Sequence, residues 1–191
     1  RYRNDSLWDK GFVMAVFNLI DHTEIGASGA VQYEKTSIPS SYDHLYFVAS
    51  ARTDDSGVHM DQCNIILNGV GGTSYGTTTI YAGADPPIAD ETSSGSSIGW
   101  QYVPGASAQG DTFGVFECWI PNYANTSNNT QILTQYSVIG SSNTNYEWGS
   151  GQTAGVFMNT AAINQFTFYT GGGDKFVQYS TFTLYGINGA A

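Results

Sequence analysis

Apolar and polar residues alternate with a period of two in short runs from about residue 15 onward, and turn-forming residues interrupt the runs roughly every eight to twelve positions. Such a period sends successive side chains to opposite faces of an extended strand. It predicts strands at 16–20 and 30–35 and, beyond Pro39, at 45–51. In the last of these, Leu45, Phe47, Ala49 and Ala51 alternate with Tyr46, Val48 and Ser50, so one set faces a core. Residues 63–67 form a strand ending in Asn68-Gly69, the dipeptide of a two-residue hairpin turn, with 77–81 as its partner or near neighbour. Residues 84–99 hold Asp85, Pro86, Pro87, Asp90, Glu91 and a Ser/Gly cluster, which predicts a long surface loop.

An aromatic-rich strand at 112–120 is closed by Pro121. An Asn-rich crossover at 122–130 leads into a strand at 131–139, and Tyr146, Trp148, Val156, Phe157 and Met158 belong to the next pair. The chain closes on an expected hairpin of 163–169 and 176–185 around Gly171-Gly172-Gly173-Asp174. About eight to ten strands result, and the fold class is all-β: an antiparallel two-sheet sandwich, jelly-roll-like, with an N-terminal arm. A jelly roll manages its exposed edges and leaves long connections at its ends. An immunoglobulin-like sandwich has fewer strands and a Cys-Trp-Cys signature that this chain lacks. No fixed-period repeat suggests a propeller or solenoid.

The chain has 191 residues, a length that suits one core, so residues 15–191 are expected to form a single domain after an arm at 1–14. Only 12% of residues are charged, and the abundance of Gly, Ser, Thr, Asn, Tyr and Phe favours strands and polar turns over helices. A net charge of −10 repels phosphate backbones and anionic membranes, so no nucleic-acid partner is expected. No run reaches the roughly 18 apolar residues of a membrane helix, and membrane insertion is not expected. Residues 11–20 are apolar and follow basic residues, but Asp5 and Asp9 and the lack of a cleavage site argue against a signal peptide.

Arg1, Arg3 and Lys10 make the arm locally basic, and Tyr2, Leu7, Trp8, Phe12 and Val13 give it apolar side chains that want a surface. Arg1, Arg3, Trp8 and Phe12 are the candidate partner-binding residues. A mixed-charge disordered tail is the plainer reading of the same stretch.

Candidate chemistry is sparse. His22, His44 and His59 have no i, i+2 or i, i+4 spacing for zinc. Asp54, Asp55 and Asp61 flank one loop but lack the ordered spacing of a calcium loop, so no metal is assigned. Carboxylate pairs such as Asp111 with Glu117, or Asp85 with Glu91, are candidates for hydrolysis only if a cleft opposes them. Alternation puts Glu117 on the face of Phe113, Val115 and Trp119, as a rim or interface residue, with the rim preferred. No nucleophile elbow, phosphate loop or dinucleotide fingerprint occurs, so neither catalysis nor a cofactor is expected. Cys63 and Cys118 read as buried free thiols, with a single bridge between them as the alternative. Thirteen tyrosines and four tryptophans could stack on sugars, with Tyr75, Tyr123 and Tyr146 as the loop positions to examine, although core and interface packing use the same residues. The sequons at Asn125 and Asn128 follow from an Asn/Thr/Ser-rich loop and decide nothing.

The closing segment AAINQFTFYTGGGDKFVQYSTFTLYGI (161–187) resembles the ending of a group of small phage virion proteins. The strand near Val31, TSIPSSYDHLYFVASARTDDSG (36–57) and WIPNYAN (119–125) resemble the same group in the same order. The resemblance covers most of 15–188 and implies a jelly-roll-like domain found in capsid decoration or cement proteins and in tail-fibre heads. It implies a virion protein assembled in the host cytoplasm, a homotrimer, with the major capsid protein as partner and the outer capsid surface as its place. The alternative it leaves open is a tail-fibre or receptor-binding module that recognises a host surface glycan. A polysaccharide-degrading tailspike is disfavoured by the missing carboxylate geometry.

Overall fold

The computed structural model describes residues 16–82, 87–139 and 148–188. The arm at 1–14, with Arg1, Arg3, Trp8 and Phe12, lies outside the described residues.

Twelve strands form among the described residues, and no helix does. In chain order they are β1 (Val16–Glu24), β2 (Gln32–Lys35), β3 (His44–Ala51), β4 (Met60–Leu67), β5 (Tyr75–Ala82) and β6 (Ile88–Gly95), followed by β7 (Ile98–Pro104), β8 (Gly114–Pro121), β9 (Thr130–Ile139), β10 (Trp148–Phe157), β11 (Phe166–Thr170) and β12 (Thr181–Asn188). An eight-stranded sheet has the order β1-β12-β3-β8-β9-β10-β5-β6, and a four-stranded sheet the order β2-β11-β4-β7. All pairings are antiparallel. The expected all-β two-sheet sandwich is what forms, and its strand order is compatible with a jelly roll. The alternation expected at 45–51 holds, with Leu45, Phe47, Ala49 and Ala51 buried.

Three local expectations are corrected. Residues 88–95 are a strand rather than loop: β6 pairs with β5, Tyr81 opposite Ile88 and Thr78 opposite Glu91. β6 is the outer edge of its sheet, where a polar strand carrying Asp90 and Glu91 is solvated and resists pairing with another chain. Residues 98–104, the latter part of which had no assignment, form β7.

Asn68 and Gly69 adopt φ of 54° and 65°, as a two-residue turn requires, and Val70 N donates to Leu67 O at 3.0 Å. The strands on either side nevertheless enter different sheets. The buried Tyr75 hydroxyl accepts from Leu67 N at 2.8 Å and donates to Val70 O at 2.9 Å, so a side chain satisfies backbone groups that a hairpin partner would otherwise take.

The closing hairpin is likewise an arch. β11 pairs with β2 and β4 in the small sheet, whereas β12 pairs with β1 and β3 in the large one. Between them Phe176 exchanges backbone hydrogen bonds with Ala30, Val177 N donates to Arg52 O, and Tyr179 N donates to Ile25 O. The alternating apolar side chains therefore meet across the core rather than edge to edge.

That meeting builds the core. Phe168 on β11 stacks on Phe116 of β8 at 4.7 Å, Phe47 lies 4.6 Å from Phe166, and Phe176 meets Phe182 edge-on at 4.9 Å. Each buried ring contributes roughly 1.5–3 kcal/mol by leaving water. Cys63 and Cys118 are buried and free within this core, as expected. Under β5, β9 and β10 the interior also holds a polar network, with Thr79, Thr134 and Thr153 around a fully buried Gln101 from β7.

Candidate interaction surface

One face of the eight-stranded sheet packs on the core, and the other is solvent-facing. Pairing register determines which outward side chains become neighbours. Leu19 lies opposite Tyr185, Tyr185 opposite Tyr46, Tyr46 opposite Trp119, and Trp119 opposite Leu133. These five residues form one continuous row over β1, β12, β3, β8 and β9, roughly 20 Å long at the usual strand spacing. Leu19 is 61% exposed and Leu133 44%. Phe17, 54% exposed, extends the row by edge-on contacts with Tyr46 at 5.8 Å and Tyr185 at 5.9 Å. The His44 ring leans on Trp119 at 5.3 Å, and its Nδ1 accepts from Asn122 N at 3.1 Å.

A second row is polar. Val48 lies opposite Glu117, Glu117 opposite Gln135, Gln135 opposite Gln152, and Gln152 opposite Ile80. Gln135 Nε2 donates to Glu117 Oε2 at 2.7 Å. Burial and then Glu117 push the Tyr46 phenol up to about 12. Glu117 therefore stands on the fourth strand of eight, in the middle of the face rather than at its rim.

Toward β6 the face dips into an open groove of about 710 Å³, lined by Ile80, Ile88, Val115, Glu117, Gln135 and Gln152 among others. The outward residues of β10 there are the small Ser150 and the polar Gln152. Gly151, on the inner side, leaves space for the ring of Tyr136: a Cβ at this position would lie 2.5 Å from it. The site is thus a shallow apolar and amide-bearing surface that can exclude water from a partner and orient it by a few hydrogen bonds.

The other singled-out residues lie elsewhere. Tyr75 and Tyr123 are fully buried and cannot present a ring to a sugar, and Tyr146 is outside the described residues. Tyr123 instead donates its hydroxyl to Pro39 O, which ties the turn after β8 to the Ser-Ile-Pro turn. Asp111 occupies a positive-φ turn ahead of β8, and Asp85 lies outside the described residues, as does its pairing with Glu91. His22 Nδ1 is 2.9 Å from Thr183 Oγ1 on the neighbouring strand. Of the loop aspartates, Asp54 accepts from Lys175 N at 2.7 Å, while Asp55 and Asp61 come together with Asp174, a residue the sequence did not single out.

The outer row was partly visible in advance. Tyr46 and Val48 fall in the outward phase of β3, and Leu133 and Ile139 share a phase with Gln131, Gln135 and Ser137. Apolar residues in the polar phase of a strand are the signal, but only the register aligns them. No protein family, no curated protein and no solved structure matches the chain.

Proposed function

We propose that this chain is a structural protein of a phage particle, a capsid decoration protein that docks on the outer surface of the shell. The observation that carries the reading is the exposed row Leu19, Tyr185, Tyr46, Trp119 and Leu133 with Phe17 beside it. A contiguous apolar patch on a protein surface marks an interaction site, and tyrosine and tryptophan are the residues that anchor such interfaces. The resemblance of 161–187 and 36–57 to small phage virion proteins names the partner as the major capsid protein. Arg1, Arg3, Trp8 and Phe12 precede β1 in the chain and are proposed to extend the same contact.

The mechanism is linkage. A protein that binds only the assembled lattice lowers its free energy and so opposes its dissociation, and trimers spanning neighbouring capsomers multiply the effect. No catalytic step is required. Cryo-electron microscopy of intact particles tests this: density for many copies over the shell is expected, and copies restricted to the tail would overturn it.

The groove beside β6 favours a second reading. Its amide side chains Gln135 and Gln152, with Glu117, could hold sugar hydroxyls, which suits a receptor-binding module for a host surface glycan. Tail-restricted density together with glycan binding lost in a Gln152→Ala variant would favour it.

A further inference from the structure

At one end of the sandwich three parts of the chain converge. Asp54 N donates to Lys175 O at 2.9 Å, and Lys175 N donates to Asp54 Oδ1 at 2.7 Å, which clamps the connection after β3 to the one after β11. Gly171 N donates to Gln62 O at 2.8 Å and fastens the second connection to β4. The result is that Asp55, Asp61 and Asp174 each place a carboxylate oxygen within 4.8 Å of the other two.

Asp61 forms the floor of this cluster. It lies in the inward phase of β4, shared with Cys63, and is only 6% exposed. Its Oδ2 is enclosed and no donor meets it in full hydrogen-bonding geometry; the neighbouring Thr53 hydroxyl, also without a partner in such geometry, is near enough to favour the charged carboxylate. An enclosed carboxylate oxygen without a partner is strongly disfavoured. Among the described residues, no lysine or arginine forms an ion pair with any of the three aspartates. The Lys175 ammonium, next in sequence to Asp174, turns to Ser28 O at 3.4 Å.

We propose that Asp55, Asp61 and Asp174 form a binding site for a divalent cation of the calcium class. Every donor is a hard oxygen, a set that suits calcium, magnesium or manganese better than zinc or copper. Three carboxylate oxygens this close can ligate one ion, and calcium, with its flexible geometry, suits them better than magnesium, which demands a near-ideal octahedron. Two of its three ligands come from connections, and calcium tolerates the irregular geometry that such ligands give. Asp55 and Asp174 are part-exposed, which leaves an entry path and room for coordinating waters. Gly172 protects the arrangement: a Cβ there would lie 2.6 Å from Asp174 Oδ2. Burial, with the charges of Asp174 and Asp55, pushes the Asp61 carboxyl above its usual range despite the opposing pull of Thr53 and Gln62, and a bound cation relieves the same crowding. The inference does not rest on the docking reading.

The test uses the full chain, stripped with a chelator and titrated with calcium chloride by calorimetry and by thermal melting. One ion per chain is expected, with Tm rising about 5–10 °C when calcium is a hundredfold above Kd, and with magnesium giving a much smaller shift. Asp61→Asn and Asp174→Asn should each lose the calcium response while their ion-free forms melt no lower than the stripped wild type. Asp174 is part-exposed, so its variant decides the matter if Asp61→Asn does not fold. Equal melting of the wild type with and without millimolar calcium, and no binding heat, would overturn the site. An unaltered calcium response in Asp174→Asn would overturn it as well.

Discussion

Thr134 donates its hydroxyl to Gln101 Oε1 at 2.8 Å between the two sheets, where both side chains are cut off from water. Gln101 Nε2 in turn donates to Gly99 O at 2.6 Å and reaches Thr153 Oγ1 at 3.2 Å, and Thr153 shares a 2.9 Å hydrogen bond with Thr79. Gln101 thus bonds directly to inward threonines on two strands of the large sheet and is linked through Thr153 to Thr79 on a third. Gln101→Ala should cost about 2–3 kcal/mol in urea unfolding, because it strands buried hydroxyls. Adding Thr134→Val should cost less than the separate changes sum to, giving a coupling of about 0.5–3 kcal/mol in a double-mutant cycle. Strict additivity would show that the network carries no joint energy.

Phe168 contacts Phe116, Phe47, Phe176 and Phe182 and so joins both sheets. Phe168→Ala should destabilise the domain by about 3–5 kcal/mol, measured by chemical denaturation. A loss below about 1 kcal/mol would mean that the core collapses around the gap.

Arg52 spreads its guanidinium over four carbonyls of the connection between β7 and β8: Gln109 O and Thr112 O from one nitrogen, Ala106 O and Ala108 O from the other. A lysine cannot reproduce this planar fork. Arg52→Lys should cost about 1 kcal/mol and raise amide exchange across residues 105–112, with little change in the strands. Unchanged exchange in that connection would contradict the assigned role.

Burial pushes the phenols of Tyr75 and Tyr102 up to about 12, and Tyr33 and Tyr136 are raised as well. The folded state therefore holds these protons more tightly than an unfolded chain, whose tyrosines ionise near about 10. Their contribution to stability is complete below about pH 10 and is lost as pH climbs toward 12. Ultraviolet titration should show a late, cooperative set of tyrosines ionising together with loss of the fold. A single non-cooperative step near pH 10 would contradict it.

Leu133→Glu places a charge in the apolar row without touching the core. Stability should stay within about 0.5 kcal/mol, while binding to purified shells should fall ~10-fold or more. Full occupancy by a folded variant would remove the outer face from the docking role.

Fold class was legible because alternation reports which side of a strand is buried, and β3, β8 and β9 state it clearly. Pairing was not legible from the same signal. Phe166 and Phe168 alternate as Phe182 and Leu184 do, and a turn of three glycines lies between them, yet they face one another across the core. Asn68-Gly69 formed its turn while Tyr75 took over the backbone groups that a hairpin would have paired. β6 was missed because an edge strand needs no apolar face. Of the acidic cluster, Asp55 and Asp61 stood out by sequence proximity, whereas Asp174 arrives from more than a hundred positions away.

The arch between β11 and β12 also constrains how the molecule comes into being. β3 is flanked in its sheet by β8 and β12, and β1 has β12 as its neighbour, so early strands wait for the last described one. While synthesis proceeds, β1 and one side of β3 have no partner to zip onto, although β5–β6 and β8–β9–β10 pair with strands next to them in sequence. Acquisition of the native state is therefore expected only once β12 has been made, as one late and slow event in which both layers close together.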